Sequence, residues 1–168
     1  LGLTGMFSVM GLATISIDHP LHGSRGFDLQ GDGIDDISAS AVSATHYMNL
    51  ASLITARDNL RQSTADLLGL RLAINALQGA PVDRNNVTFL GHSLGAITGV
   101  NFLSVANRSL GDVLAPFDVM YDVKAASMLA PGSGIPSFLL ESGSFGPLIK
   151  ALLVSQSSAE FAAFLQAQ

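Results

Sequence analysis

Apolar and polar positions switch between helical and strand spacing along the chain, an alternation that predicts an α/β domain. Leu3 to Met10 reads as the end of a helix, with Gly11 placed to close it in a left-handed conformation. Leu12 to Ile17 (LATISI) follows as a buried strand ending at Asp18. A polar, glycine-rich loop, DHPLHGSRGFDLQGDGIDD, fills residues 18 to 36. From Leu60 onward Leu67, Leu70, Ile74 and Leu77 recur at helical spacing beside Arg61, Asp66 and Arg71, predicting a long amphipathic helix closed by Gly79 and Pro81.

Val87 to Leu90 supplies the next strand, and Leu94 to Val105 a helix apolar nearly all round, as expected of one covered by neighbours. Val123 to Ala130 predicts another strand, broken by PGSGIP at 131–136. Strands joined by helical crossovers imply parallel pairing, and right-handed crossovers place helices on both faces of the sheet. After residue 136 only short helices are expected, over roughly 144–155 and 157–166, as a cap-like or terminal segment at about 137–168. Three strands are too few for a finished α/β domain.

The chain has 168 residues, enough for one domain spanning 1–168. A domain of that size buries roughly 70% of its unfolded surface. Apolar residues make up 48% and charged residues 12%, and the mean hydropathy is +0.43, which points to apolar surface covered by a partner or by further chain. The net charge of −5 comes without a Lys/Arg cluster, so nucleic acid is not an expected partner. There is no cysteine, which excludes disulfides and thiolate metal sites. The uncharged run Asn85–Asn107 has the length of a membrane span, but its glycines, His92, Ser93 and Asn101 fit a strand, turn and buried helix better. The first 17 residues are uncharged and lack the basic start of a signal peptide.

VTFLGHSLGAITG, residues 87–99, sets Ser93 between Gly91 and Gly95 at a strand-to-helix junction. A sharp turn there strains its central residue and leaves little room two positions either side. It lifts the Ser93 hydroxyl above the carboxyl end of the sheet, while the Leu94 N–H at the helix start points at any oxyanion formed there. The plain alternative is a Gly-Ser turn without chemistry.

GHSLG resembles the lipase and esterase elbow of the α/β-hydrolase superfamily. ISIDHPLHGSRG, residues 15–26, is similar to the D-x-P-G-H-G-x-S segment of the same enzymes, with Asp18, Pro20, His22 and Gly23 in place, Leu21 where glycine is usual and Ser24 one position ahead of the segment's serine. HYMNLASLITARDNLRQSTADLLGLR, residues 46–71, further resembles secreted or surface-exposed bacterial lipases and phospholipases of the virulence-factor type. The resemblance implies a partial α/β-hydrolase fold, Ser93 as nucleophile, Leu94 as a backbone oxyanion donor, a lipid or ester substrate, and an extracellular or cell-surface location.

It carries over no base. These enzymes run Ser, then Asp or Glu, then His, whereas His19, His22, His46 and His92 all precede Ser93. Asp112, Asp118, Asp122 and Glu141 follow it, but none clearly ends a late strand, and each reads as a solvated loop residue. The second oxyanion N–H of these enzymes comes from a loop that the resemblance would place before Leu1. Missing base, missing strands and missing donor together predict an excerpt truncated at both ends of a larger enzyme, nearly inactive alone. Its uncovered edge and core face are expected to favour self-association.

Asp28, Gln30, Asp32 and Gly33, with Asp35 and Asp36, follow the opening of a calcium loop, but Ala39 stands where the closing Glu belongs; a solvated acidic turn is the alternative. No other cofactor is expected. Arg57, Asp58 and Arg61 read as a charged helix face, or else as an entrance lining. The function expected is a carboxylic ester hydrolase, a lipase or lysophospholipase acting through an acyl-enzyme. The alternatives are another acyl hydrolase (thioesterase or peptidase) on the same fold, or a noncatalytic binding module.

Overall fold

A computed structural model of the protein describes residues 2–49, 52–132 and 134–157, together with 159, 163 and 167. Among the described residues five α-helices and two strands follow one another as α1 (Leu3–Val9), α2 (Leu53–Ile74), β1 (Thr88–His92), α3 (Leu94–Ala106), β2 (Ala125–Leu129), α4 (Ile135–Glu141) and α5 (Gly146–Ser157). The class is mixed α/β. β1 and β2 pair in parallel across the α3 crossover, in the register Thr88↔Ala125 through His92↔Leu129.

α1 ends as the chain pattern predicts, with Gly11 at φ 77°. Leu12–Ile17 does not form a strand. The segment has no ladder partner among the described residues, and Leu12, Ile15 and Ile17 are 51%, 58% and 38% exposed. β-Propensity alone does not make a strand, because a strand exists through its hydrogen-bonded neighbour.

α2 begins seven residues earlier than the leucine spacing suggests, where Ser52 caps it by accepting from the Thr55 N–H at 3.4 Å. Its buried positions are Ala56, Ser63 and Arg71, while Leu67 and Leu68 join the core. It closes at Asn75, before Gly79 and Pro81, and Asn75 Nδ2 donates to the carbonyls of Leu72 and Met120, both at 2.9 Å.

α3 lies on one face of the sheet and packs against α2. Phe102, Ala106 and Val123 form the core, with Leu67, Leu68, Phe89 and Leu103 against them. The helices expected on both faces are found on one: on the opposite face Leu90 and Leu129 remain 42% and 50% exposed. α3 itself leaves Val100 and Val105 in the open. The accessible surface is 11006 Å², against roughly 7,900 Å² for a compact domain of this mass. Burial thus falls well short of that expected from chain length.

The chain beyond the sheet is helical, as expected, but begins at Ile135 with α4 instead of near 144. Gly146 sits so close to α4 that a Cβ there would lie 2.5 Å from Leu140 O. The helix expected over 157–166 falls largely outside the described residues. No described helix is long and apolar enough to cross a membrane.

Arg71 substitutes for missing apolar packing. It is 2% exposed, and its guanidinium donates to Asp122 O at 2.9 Å and Val119 O at 3.1 Å, tying α2 to the approach of β2. Burial pulls its pKa down, partly offset by Asp122. Arg71→Ala leaves two carbonyls without a donor and is expected to cost about 2–4 kcal/mol in urea unfolding. Arg61→Ala, on a side chain 72% exposed, is expected to stay within about 0.5 kcal/mol.

Candidate functional site

β1, Ser93 and α3 form a strand–turn–helix in which Ser93 is the N-cap, at φ 51° and ψ −118°. Only glycine adopts that conformation without strain, so the serine is held there by its surroundings. The Ser93 N–H donates to Leu129 O at 2.9 Å, extending the parallel ladder one step past β1. The Ser93 carbonyl accepts from the N–H groups of Ala96 at 2.9 Å and Ile97 at 3.0 Å, which fixes the first turn of α3. With those two N–H groups used, Leu94 and Gly95 supply the unengaged donors of the helix start among the described residues. Ser93 is exposed, as the turn demands.

The close approach beneath the turn explains Gly91. A Cβ there would meet Gly95 O at 2.7 Å, Ala96 Cα at 2.8 Å and Phe89 Cε1 at 2.8 Å. Gly99 is as tightly held, with Phe89 Cε1 only 2.3 Å from a Cβ at that position. Gly95 differs from expectation: a Cβ there meets nothing within 4 Å among the described residues. The steric demand lies on the strand side of the turn and one helical turn further on.

Two positions invisible in the motif take part. Leu129 lends its carbonyl to Ser93, and Ala130 follows it at φ 50°, so a second strained residue turns the chain away beside the candidate nucleophile. Gly132 then lies against Ile97, a Cβ on it falling 3.3 Å from Ile97 Cδ1. Leu21, standing where the resembled segment carries glycine, adopts φ 63°, a left-handed conformation that costs a leucine about 1–2 kcal/mol.

The four histidines are divided between two places. His92 is exposed at the end of β1. The others hold the 18–47 segment: His22 Nδ1 donates to Pro20 O at 3.0 Å, His46 Nδ1 accepts from the Ser38 N–H at 3.0 Å, and His19 packs against both His22 and Tyr47. None hydrogen-bonds to Ser93. Two of the acids are occupied, Asp118 accepting from the Leu110 N–H at 2.8 Å and Asp122 pairing with Lys124, while Asp112 and Glu141 are exposed. The described residues bring no acid and base together at the serine.

The carboxylates of the 27–37 loop serve as turn caps. Asp28 accepts from the N–H groups of Gly31, Asp32 and Gly33, and Asp36 from Leu29, Gln30 and the Gln30 side chain. These bonds, led by Gly33 for Asp28 and by the Gln30 side chain for Asp36, lower both pKa values. Asp32 caps Ile34, and Asp35 lies against Gly26. No group of three potential metal ligands occurs among the described residues. Arg57 and Asp58 pair at 2.8 Å on the exposed start of α2, with Arg61 at 3.7 Å from Asp58.

The asymmetry of the turn gives a direct check. Gly91→Ala is expected to destabilise by about 1–3 kcal/mol through overpacking. Gly95→Ala is expected to be neutral or to stabilise by up to about 1 kcal/mol through helix propensity. Urea unfolding of the pair separates them. No protein-family model, curated protein or solved structure matches this chain.

Proposed function

We propose that the chain carries the nucleophile of a carboxylic ester hydrolase, a lipase or lysophospholipase built on the α/β-hydrolase fold. The observation that supports this most is the backbone of Ser93, φ 51° and ψ −118° at an exposed strand-to-helix turn. Strain of this kind persists where the surroundings over-determine it, and a hydroxyl presented at the start of a thirteen-residue helix suits attack on a carbonyl. In the proposed reaction Ser93 Oγ gives its proton to a base and bonds to the ester carbonyl carbon. The Leu94 N–H stabilises the oxyanion, the alcohol leaves with a proton, and water releases the acid from the acyl-enzyme.

The base, the acid and the second oxyanion donor are assigned to further chain of the same enzyme, which would also cover the bare sheet face and the Leu12–Ile17 segment. Alone, the 168 residues are then expected to self-associate through these surfaces and to turn over esters poorly. Without a histidine at the serine the loss is on the order of 10⁴-fold or more. An extracellular or bacterial-surface location belongs to the same proposal. A second reading, a noncatalytic module that kept the fold, is favoured by the absence of any histidine bonded to Ser93 among the described residues.

A fluorophosphonate probe distinguishes the two when applied to the chain extended by its native flanking sequence. The enzyme reading predicts stoichiometric labelling that is lost in Ser93→Ala, together with at least about a 10³-fold fall in ester hydrolysis. Labelling that survives Ser93→Ala, or no labelling of the extended protein, contradicts it and leaves the module.

A further inference from the structure

The 18–47 segment is clamped to α2 at two points. Arg25 Nη1 donates to Asp66 Oδ2 at 2.5 Å and to Asp18 O at 2.9 Å. Tyr47 is buried, its hydroxyl bonded to Ser63 Oγ at 2.6 Å, and Asn59 Nδ2 donates to the Tyr47 carbonyl at 2.9 Å. Between the clamps three rings pack together: His19 and Tyr47 with centroids 5.9 Å apart, His22 and Tyr47 at 5.1 Å, and His19 and His22 at 6.1 Å. Inside this cluster His19 Nδ1 is buried without a hydrogen-bond partner.

We propose that His19 is a proton-operated latch: its neutral ring keeps the 18–47 segment docked on α2, and its protonated ring releases the segment. With its proton on Nε2, neutral His19 leaves only a bare ring nitrogen inside the cluster. A second proton falls on Nδ1, where it becomes a buried cationic donor facing no acceptor. Asp66 and Asp18 favour the new charge only in part, and burial with His22 outweighs them. Asp66, on α2, already serves Arg25 with Oδ2 and Gln62 with Oδ1. Asp18 holds the Ser24 N–H, Tyr47 is bonded to Ser63, and His22 and Arg25 repel a new positive charge. Burial first, and His22 second, accordingly hold the His19 pKa below its ordinary value.

The direction of the response follows. A histidine whose folded pKa lies below its unfolded value supports the docked state fully above about pH 6.5. That support is lost as pH falls from there toward the lower folded value, and the ratio of docked to released segment drops by up to about tenfold per pH unit in that window. The aromatic clamp on Tyr47 and the amides folded over it, Ala39 N–H on Leu21 O at 2.6 Å and Gly23 N–H on Ser40 Oγ at 3.1 Å, should loosen together.

Hydrogen exchange of the 168-residue chain between pH 7.5 and 5, corrected for intrinsic exchange chemistry and referenced to α3, tests the latch. Protection of residues 18–47 is expected to be flat above about pH 6.5 and to fall by up to about tenfold per unit below it. His19→Phe, which keeps a ring and removes the titration, should abolish the pH dependence, whereas His22→Phe should retain it with the window moved upward. Should His19→Phe not fold, the imidazole titration of His19 followed by NMR in the unaltered chain decides. A pKa below 6.5 supports the latch, and one at or above 6.5, or pH-dependent protection surviving in a folded His19→Phe, overturns it.

Discussion

The left-handed backbone of Ser93 is the constraint on which the rest of the molecule turns. Three contacts enforce it: the ladder bond to Leu129, the carbonyl seated under the first turn of α3, and the contact of Gly91 with Gly95 O and Phe89. Each depends on another element. The Leu129 bond requires β2 in parallel register, the α3 contact requires Phe89 wedged beneath Gly99, and that wedge is held in place by Phe102 at a centroid distance of 5.5 Å. The small core is therefore organised around the turn. Strain at Ser93 is a cost that the close packing of α3 on β1 and β2 offsets.

Around that centre the protein is sparsely buried, and polar contacts take over where apolar packing stops. Arg71 and Asn75 stitch α2 to the chain entering β2 through backbone carbonyls. The 18–47 segment rests on α2 through one ion pair, one tyrosine and an asparagine rather than through a hydrophobic face. Local stability should follow this division, highest in β1, α3 and β2 and lower in the histidine-bearing segment. A device that senses protons belongs at the weakly held end of that range.

The turn and its flanks were legible in the sequence because local chemistry fixes them: β1 and α3 fall within two residues of the apolar pattern, and Gly91 is required where the motif has it. Parallel pairing was legible from the crossover. Leu12–Ile17 was not legible, since its residues favour a strand but the pairing that makes one is a property of a neighbour. The burial of Arg71 was equally hidden. A helical stripe reports which face is apolar, not that carbonyls of the 119–122 segment will converge on a guanidinium. Ala130 carried no signal either, because alanine seldom adopts positive φ and only the structure reveals that it does. The places of His19 and His22 depended on ring contacts with Tyr47, a residue distant in the chain.

The strain at Ser93 is measured most directly by the difference in unfolding free energy between Ser93→Gly and Ser93→Ala in this chain. Both remove the hydroxyl, and only glycine relaxes at φ 51°. A strained turn predicts the glycine variant to be more stable than the alanine variant by about 1 kcal/mol, even after glycine's greater freedom in the unfolded chain is subtracted. An alanine variant as stable as the glycine variant, or more so, would mean that Ser93 sits in relaxed backbone and that the turn holds no nucleophile under strain.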